Sequence, residues 1–242
     1  MRIRVYLLLN YSVFKLKKYV FLPYNFPFIL QTPINITLTD AGKKFGKDWV
    51  FRHVTLDVKQ GEKIVILGLN GSGKSTLLQA LTGYLSLNEG TLNYQQNSKI
   101  IDAENYYHYQ SLASPYLELI EDFTLQELIE HVAVYKPFLN QLDTAQIIEL
   151  SGLSAHKDKY IKLFSSGMKQ RLKLTLAILA NTPILFLDEP TTNLDATVIS
   201  WYQKLIADYA SEKTIIVCSN SIKEEYTFCD RIITMEDFKL LN

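Results

Sequence analysis

Gly68-Leu69-Asn70-Gly71-Ser72-Gly73-Lys74-Ser75-Thr76 fits the pattern GxxxxGK[ST] at every fixed position. Its flanks fit as well. Lys63–Leu67 (KIVIL) is a short apolar run between Gly61 and Gly68, which predicts a buried strand. Lys74–Leu81 has helical spacing, and Gly83 stands where it would end that helix. In such a strand–loop–helix unit the glycines let the backbone curl until several N–H groups face inward. The helix start adds a positive dipole and Lys74 a full charge, so Gly68, Leu69, Asn70, Gly71, Ser72, Gly73, Lys74, Ser75 and Thr76 are the candidate phosphate-binding residues. The Ser75 hydroxyl is a hard oxygen ligand of the kind Mg²⁺ prefers.

Working outward, residues 184–187 are a second apolar run, and Asp188, Glu189 and Pro190 follow it. Two carboxylates at the carboxyl end of a buried strand lie where open α/β sheets bind ligands. Asp188 is suited to hold Mg²⁺ through water, completing the site begun by Ser75, and Glu189 to polarise an attacking water. Residues 214–218 form a third apolar run. Residues 35–38 and 49–58 alternate in short stretches, as antiparallel strands do. Strands interleaved with helices predict an α/β fold with a mostly parallel core sheet. Phe164-Ser165-Ser166-Gly167-Met168 opens an amphipathic helix with Met168, Leu172, Leu176 and Leu179 on one side, and Ser165 is placed to cap it.

Composition narrows the class. Of 242 residues, 48% are apolar and 21% charged, which excludes collagenous and disordered chains. Lys+Arg and Asp+Glu are both 25, and a net charge of zero argues against bulk nucleic-acid binding. Cys218 and Cys229 form no CxxC pair, so neither a disulfide framework nor a four-ligand zinc site is expected, and a reduced, cytosolic setting follows. His53, His108, His131 and His156 have no ligand spacing. The uncharged run 19–39 is long enough to cross a bilayer, but Pro23, Pro27 and Pro33 break it as a helix. Residues 1–34 are aromatic-rich and dotted with lysine: either an amphipathic arm touching a membrane or partner, or a dispensable extension. Residues 116–150 are acidic and residues 157–173 basic.

Taken together, the phosphate loop, FSSGMKQR, ILFLDEP and Thr192-Asn193-Leu194-Asp195 resemble the ATP-binding subunit of ABC transporters over nearly all of 35–242. FSSGM is similar to the family signature LSGGQ, with Ser165 and Gly167 kept, Ser166 in place of a glycine and Met168 in place of the glutamine. The resemblance implies a P-loop nucleoside triphosphatase of ABC type. Its parts would be a mostly parallel core sheet, an antiparallel β subdomain and a helical subdomain at roughly 111–175, with 1–34 outside the domain. It implies ATP and Mg²⁺ as ligands and a second ATPase subunit, a homodimer closed head to tail over ATP. A separate transmembrane subunit and a place on the cytoplasmic face of the membrane also follow from it. Ser165, Ser166 and Gly167 would then meet the γ-phosphate of the partner's ATP, and Asp195 would link the two sites. Phe45, in KKFG, is the candidate for stacking on adenine, with Trp49 as the alternative.

Two departures from the family pattern matter. Asn220 stands where the family usually has a histidine, so it can hydrogen-bond a phosphate oxygen but carry no charge, and slower or differently regulated hydrolysis is expected. The glutamine that usually reaches Mg²⁺ has Gln110 as its nearby candidate, whereas counting back from Phe123-Thr124-Leu125 points to Ser114. Two other functions fit the same residues: a soluble ABC ATPase outside transport, and a weakly catalytic, ATP-gated interaction module.

Overall fold

The structure, a computed structural model, describes residues 33–238. Apart from its last two residues, the 1–34 segment lies outside the described residues. The first half of the chain forms β1 (Ile34–Phe45), β2 (Asp48–Val58), β3 (Lys63–Leu67), α1 (Lys74–Leu81), β4 (Glu89–Gln96), β5 (Lys99–Ile101) and β6 (Gln110–Ala113). The second half forms α2 (Leu125–Tyr135), α3 (Thr144–Ser151), α4 (Ser166–Leu179), β7 (Ile184–Asp188), α5 (Ala196–Tyr209), β8 (Thr214–Ser219) and β9 (Arg231–Thr234).

Two sheets result. One has the order β2-β1-β4-β5 and is antiparallel throughout. The other, β6-β7-β8-β3-β9, is parallel throughout. The apolar runs alternate sides as period-2 strands must. Ile64, Ile66, Ile184, Phe186, Ile216 and Cys218 face a core shared with α1 and the antiparallel sheet. Val65, Leu185, Leu187, Ile215 and Val217 face a second core shared with α2, α3, α4 and α5. Burial on both faces is why these strands read as unbroken apolar runs.

The helices start on the residues that cap best. Thr124 with Glu127 and Asp143 with Gln146 each form a complete capping box, at the starts of α2 and α3. Asp195 caps α5 through the Val198 N–H at 2.9 Å. Gly83, at φ 74, closes α1 from the position just after its C-cap. Residues 111–113, assigned from the sequence to a helical subdomain, are part of β6 and pair with β7. The acidic and basic stretches meet each other: Lys169 pairs with Glu121 and Lys162 with Asp122, the latter at 3.2 Å.

Candidate functional site

The carboxyl ends of β3, β6, β7 and β8 lie side by side, and the candidate residues follow them in the sequence. After β3 the chain turns through the phosphate loop into α1. Gly73 holds φ 101, and a side chain there would come within 2.5 Å of Val50 on β2. Only glycine lets the loop lie this close to the antiparallel sheet. Lys74 is buried, donating to the carbonyls of Gly68 at 2.8 Å and Leu69 at 3.1 Å. Its ammonium is 3.7 Å from Glu189 Oε1. Among the described residues the buried Ser72 hydroxyl has no hydrogen-bond partner, leaving a donor for phosphate oxygen.

Asp188, 1% exposed, ends β7. The Ser75 hydroxyl donates to its Oδ1 at 3.1 Å and the Ser114 hydroxyl to its Oδ2 at 3.3 Å. Burial holds this carboxyl above the usual range, with the Ser75 hydrogen bond pulling it down and the neighbouring Glu189 pushing it up. A buried carboxylate and a hydroxyl fit the hard oxygen set that Mg²⁺ takes beside a phosphate. Among the described residues no group of three or more His, Cys, Asp or Glu is placed to hold a metal on its own.

Glu189 lies just beyond the strand with φ 44, a left-handed conformation unusual for glutamate. It costs about 1–3 kcal/mol and is held by the Glu189 N–H donating to the Cys218 carbonyl at 2.9 Å. Asn220 follows β8, two residues beyond the Cys218 that pairs with Asp188, on the same edge as Glu189. Cys218 and Cys229 are pushed up by burial, Cys229 to about 12, and remain thiols.

Gln110 is corrected. It opens β6 level with Ile184, the first residue of β7, whereas Asp188 ends β7. Four residues of parallel strand separate those levels, about 13 Å. Its amide is engaged at that far end: Nε2 donates to the Thr82 carbonyl at 2.7 Å, and Oε1 accepts from the Tyr94 hydroxyl at 2.8 Å. Ser114, just past the carboxyl end of β6, is the residue that reaches Asp188. Phe45 ends β1 at the hairpin tip with 55% of its surface exposed. Trp49 is half-buried and engaged by Lys44 and by Arg52. Both rings carry a cation, Lys43 lying 5.3 Å from the Phe45 centroid, and Phe45 is the more exposed of the two.

The second group of candidates is gathered elsewhere. Ser165 caps α4, accepting from the Met168 N–H at 3.2 Å, and Ser165 and Ser166 are exposed. A side chain on Gly167 would come within 3.0 Å of the Asn193 carbonyl, so this helix start lies against the loop that leads to the exposed Asp195. Gln170 ties α4 to the loop after Glu189, donating to the Pro190 carbonyl at 2.9 Å. Among the described residues no hydrogen bond or ion pair joins 165–167 to 68–76. Met168 packs partly buried against the helical core. Sequence reasoning missed Lys173, which donates from α4 to the carbonyls of Ser114 at 3.2 Å and Pro115 at 2.8 Å. It also missed Glu225. A lysine inside a helix's apolar stripe was the available signal for the first; nothing flagged the second.

A glycine-rich loop between β3 and α1, with a hydroxyl on a strand-end aspartate and a glutamate beside it, defines a P-loop nucleoside triphosphatase. The family model "ABC transporter" matches residues 51–192, and the chain belongs to that family. It is 28% identical over 196 residues to the uncharacterized ABC transporter ATP-binding protein YdbJ of Bacillus subtilis (strain 168), covering 80% of this chain and 64% of that one. It is 30% identical over 221 residues to the bacitracin transport ATP-binding protein BcrA of Bacillus licheniformis, covering 85% and 68%. The chain thus spans less than two thirds of YdbJ's length. Its fold matches the dimeric post-hydrolysis structure of the ATP-binding cassette MJ0796 bound to ADP and Pi, with TM-score 0.70, 22% identity and coverage of 82% and 93%. No helix among the described residues is long and apolar enough to cross a membrane.

Proposed function

We propose that this chain binds ATP with Mg²⁺ and hydrolyses it to drive a membrane transporter whose spans belong to a separate polypeptide. The observation that carries the reading is the convergence of Lys74, Ser75, Asp188 and Glu189 on one sheet edge. In this reading residues 35–242 are the ATPase domain. The loop N–H groups and Lys74 hold the β- and γ-phosphates, and the Phe45 ring stacks on adenine. Ser75 and Asp188 would hold Mg²⁺, which supplies charge neutralisation between the phosphates. Glu189 accepts the proton of the attacking water, and the Asn220 amide donates to a γ-phosphate oxygen.

The exposed α4 start and Asp195 support a head-to-tail dimer, most simply of two copies of this chain. There Ser165, Ser166 and Gly167 present a helix N-terminus to the partner's γ-phosphate, and hydrolysis removes the anion that bridges the two halves. The names of YdbJ and BcrA support a transport role, and a place on the cytoplasmic face of a membrane is part of the same proposal.

Purified protein tests the chemistry. Glu189→Gln should lose at least about a hundredfold in ATP turnover and keep its affinity for ATP with Mg²⁺. Equal turnover in the two proteins would overturn hydrolysis and leave the ATP-gated module standing. Absence of nucleotide affinity would overturn the whole reading. Mass spectrometry of chains that co-purify from membranes tests the separate transmembrane subunit.

A further inference from the structure

Glu225 is a fully buried carboxylate outside the phosphate site, and among the described residues no Lys, Arg or His pairs with it. It is surrounded by donors. Oε1 accepts from the Thr191 N–H at 3.0 Å and from the Thr191 hydroxyl at 2.8 Å, and Oε2 accepts from the Ser219 hydroxyl. Ser219 is oriented in turn, because its oxygen takes the Ile222 N–H at 3.2 Å. The turn that carries Glu225 is fixed to α5, with the Tyr202 hydroxyl donating to the Glu225 carbonyl at 2.9 Å and Gln203 donating to that of Glu224 at 3.0 Å. All of these groups are anchored.

Burying a carboxylate without a cation is costly, and a neutral residue of this size would fill the space as well. What the carboxylate adds is a join between two segments. Thr191 lies two residues after Glu189, and Ser219 lies immediately before Asn220. The same segments meet once more in the backbone, through the Glu189 N–H and the Cys218 carbonyl. Glu189 sits in a left-handed conformation that relaxes unless its surroundings fix it.

We propose that Glu225 is a positioning residue for ATP hydrolysis, its carboxylate clamping Thr191 to Ser219 and so setting the spacing of Glu189 and Asn220 across the γ-phosphate. It touches neither nucleotide nor water and acts through those two side chains. The proposal rests on the hydrolytic roles proposed above for Glu189 and Asn220.

Glu225→Gln keeps the volume but puts an amide N–H against the Ser219 hydroxyl. It should lower kcat about tenfold while the Kd for ATP with Mg²⁺ changes less than about twofold, since the phosphate loop is untouched. Ser219→Ala removes one arm of the clamp with less risk to folding and should lower kcat in the same manner. On an Asn220→Ala background the clamp has less to position, so Glu225→Gln should cost under about twofold more. Unchanged kcat in both single variants overturns the proposal. So does a parallel loss of kcat and ATP affinity, or a full tenfold effect persisting without the Asn220 side chain. Glu189→Gln with undiminished turnover would instead show that the hydrolytic reading fails, whatever Glu225 does.

Discussion

An amide at position 220 can hold a phosphate oxygen, but it cannot gain a proton as the reaction proceeds. Asn220→His would restore a group that titrates near neutrality on the edge where Glu189 lies. Steady-state ATPase assays should then show turnover raised, by up to about tenfold, with the KM for ATP little changed. A large fall would mean that asparagine is the better partner here and that the native site is tuned around it. The other departures have physical answers in the fold. Met168 stands where the signature glutamine would be, and its backbone N–H meets the Ser165 cap while its side chain packs on the helical core. Ser114 reaches Asp188 directly, and Lys173 fixes the carbonyls of Ser114 and Pro115. At this scale residues 68–76, 188 and 189 were legible because their chemistry is local: backbone curl, helix start and strand end all lie within a few positions. Gln110 against Ser114 was not, since only the register of β6 on β7 decides which residue stands at the carboxyl edge.

Elements were legible where both faces are buried. β3, β7 and β8 announce themselves as apolar runs, whereas β4, with the sequence EGTLNYQQ, buries only Tyr94 and reads as a polar loop. β6 and β9 are four residues each, too short to carry a pattern. The acidic stretch 116–150 holds two short α-helices, because the capping boxes at Thr124 and Asp143 each start one. The antiparallel sheet also depends on a glycine that periodicity does not reveal. β1 shifts register between Thr39 and Gly42 against β4, and Gly90, at φ 77, lies across from that bulge. A methyl group there would sit 2.3 Å from the carbonyl oxygens of both Thr39 and Asp40. Gly90→Ala should therefore cost about 3 kcal/mol or more in urea unfolding, the strained backbone adding to a collision with main chain that cannot move aside. Gly46, at φ 60 in the β1–β2 turn, is the control. An added methyl there meets nothing within 4 Å, so Gly46→Ala should cost only about 1 kcal/mol. Equal effects at the two glycines would show that backbone conformation alone matters and that the bulge contact does not.

Over the whole molecule, two lysines, Lys213 fully buried and Lys136 half-buried, lash the helical layer to the parallel sheet. Lys213, just before β8, donates to the carbonyls of Ile178 at 2.9 Å and Ala180 at 2.5 Å, where α4 ends. Lys136, just after α2, donates to Tyr107 and Gln110, at 3.1 and 2.5 Å, around the start of β6. Among the described residues neither forms an ion pair with a carboxylate. Burial lowers Lys136 to about 8 and Lys213 to about 7, the latter also repelled by Lys136. The unfolded chain keeps both protons up to the ordinary lysine value of 10.5. Above neutrality the unfolded state therefore binds more protons than the folded one, and stability must rise with pH. Cys218 and Cys229, held protonated by burial, reverse the trend once unfolded thiols ionise near 9, which confines the window to about pH 7 to 8.5. Unfolding free energies from urea titrations across that window should climb by about 1 kcal/mol per pH unit, against the level profile expected of a protein whose lysines all face water. Lys213→Met should flatten the climb, because it removes the group with the lower value. A level profile for the native chain would show that these ammonium groups reach water, and an undiminished climb in Lys213→Met would place the proton release elsewhere.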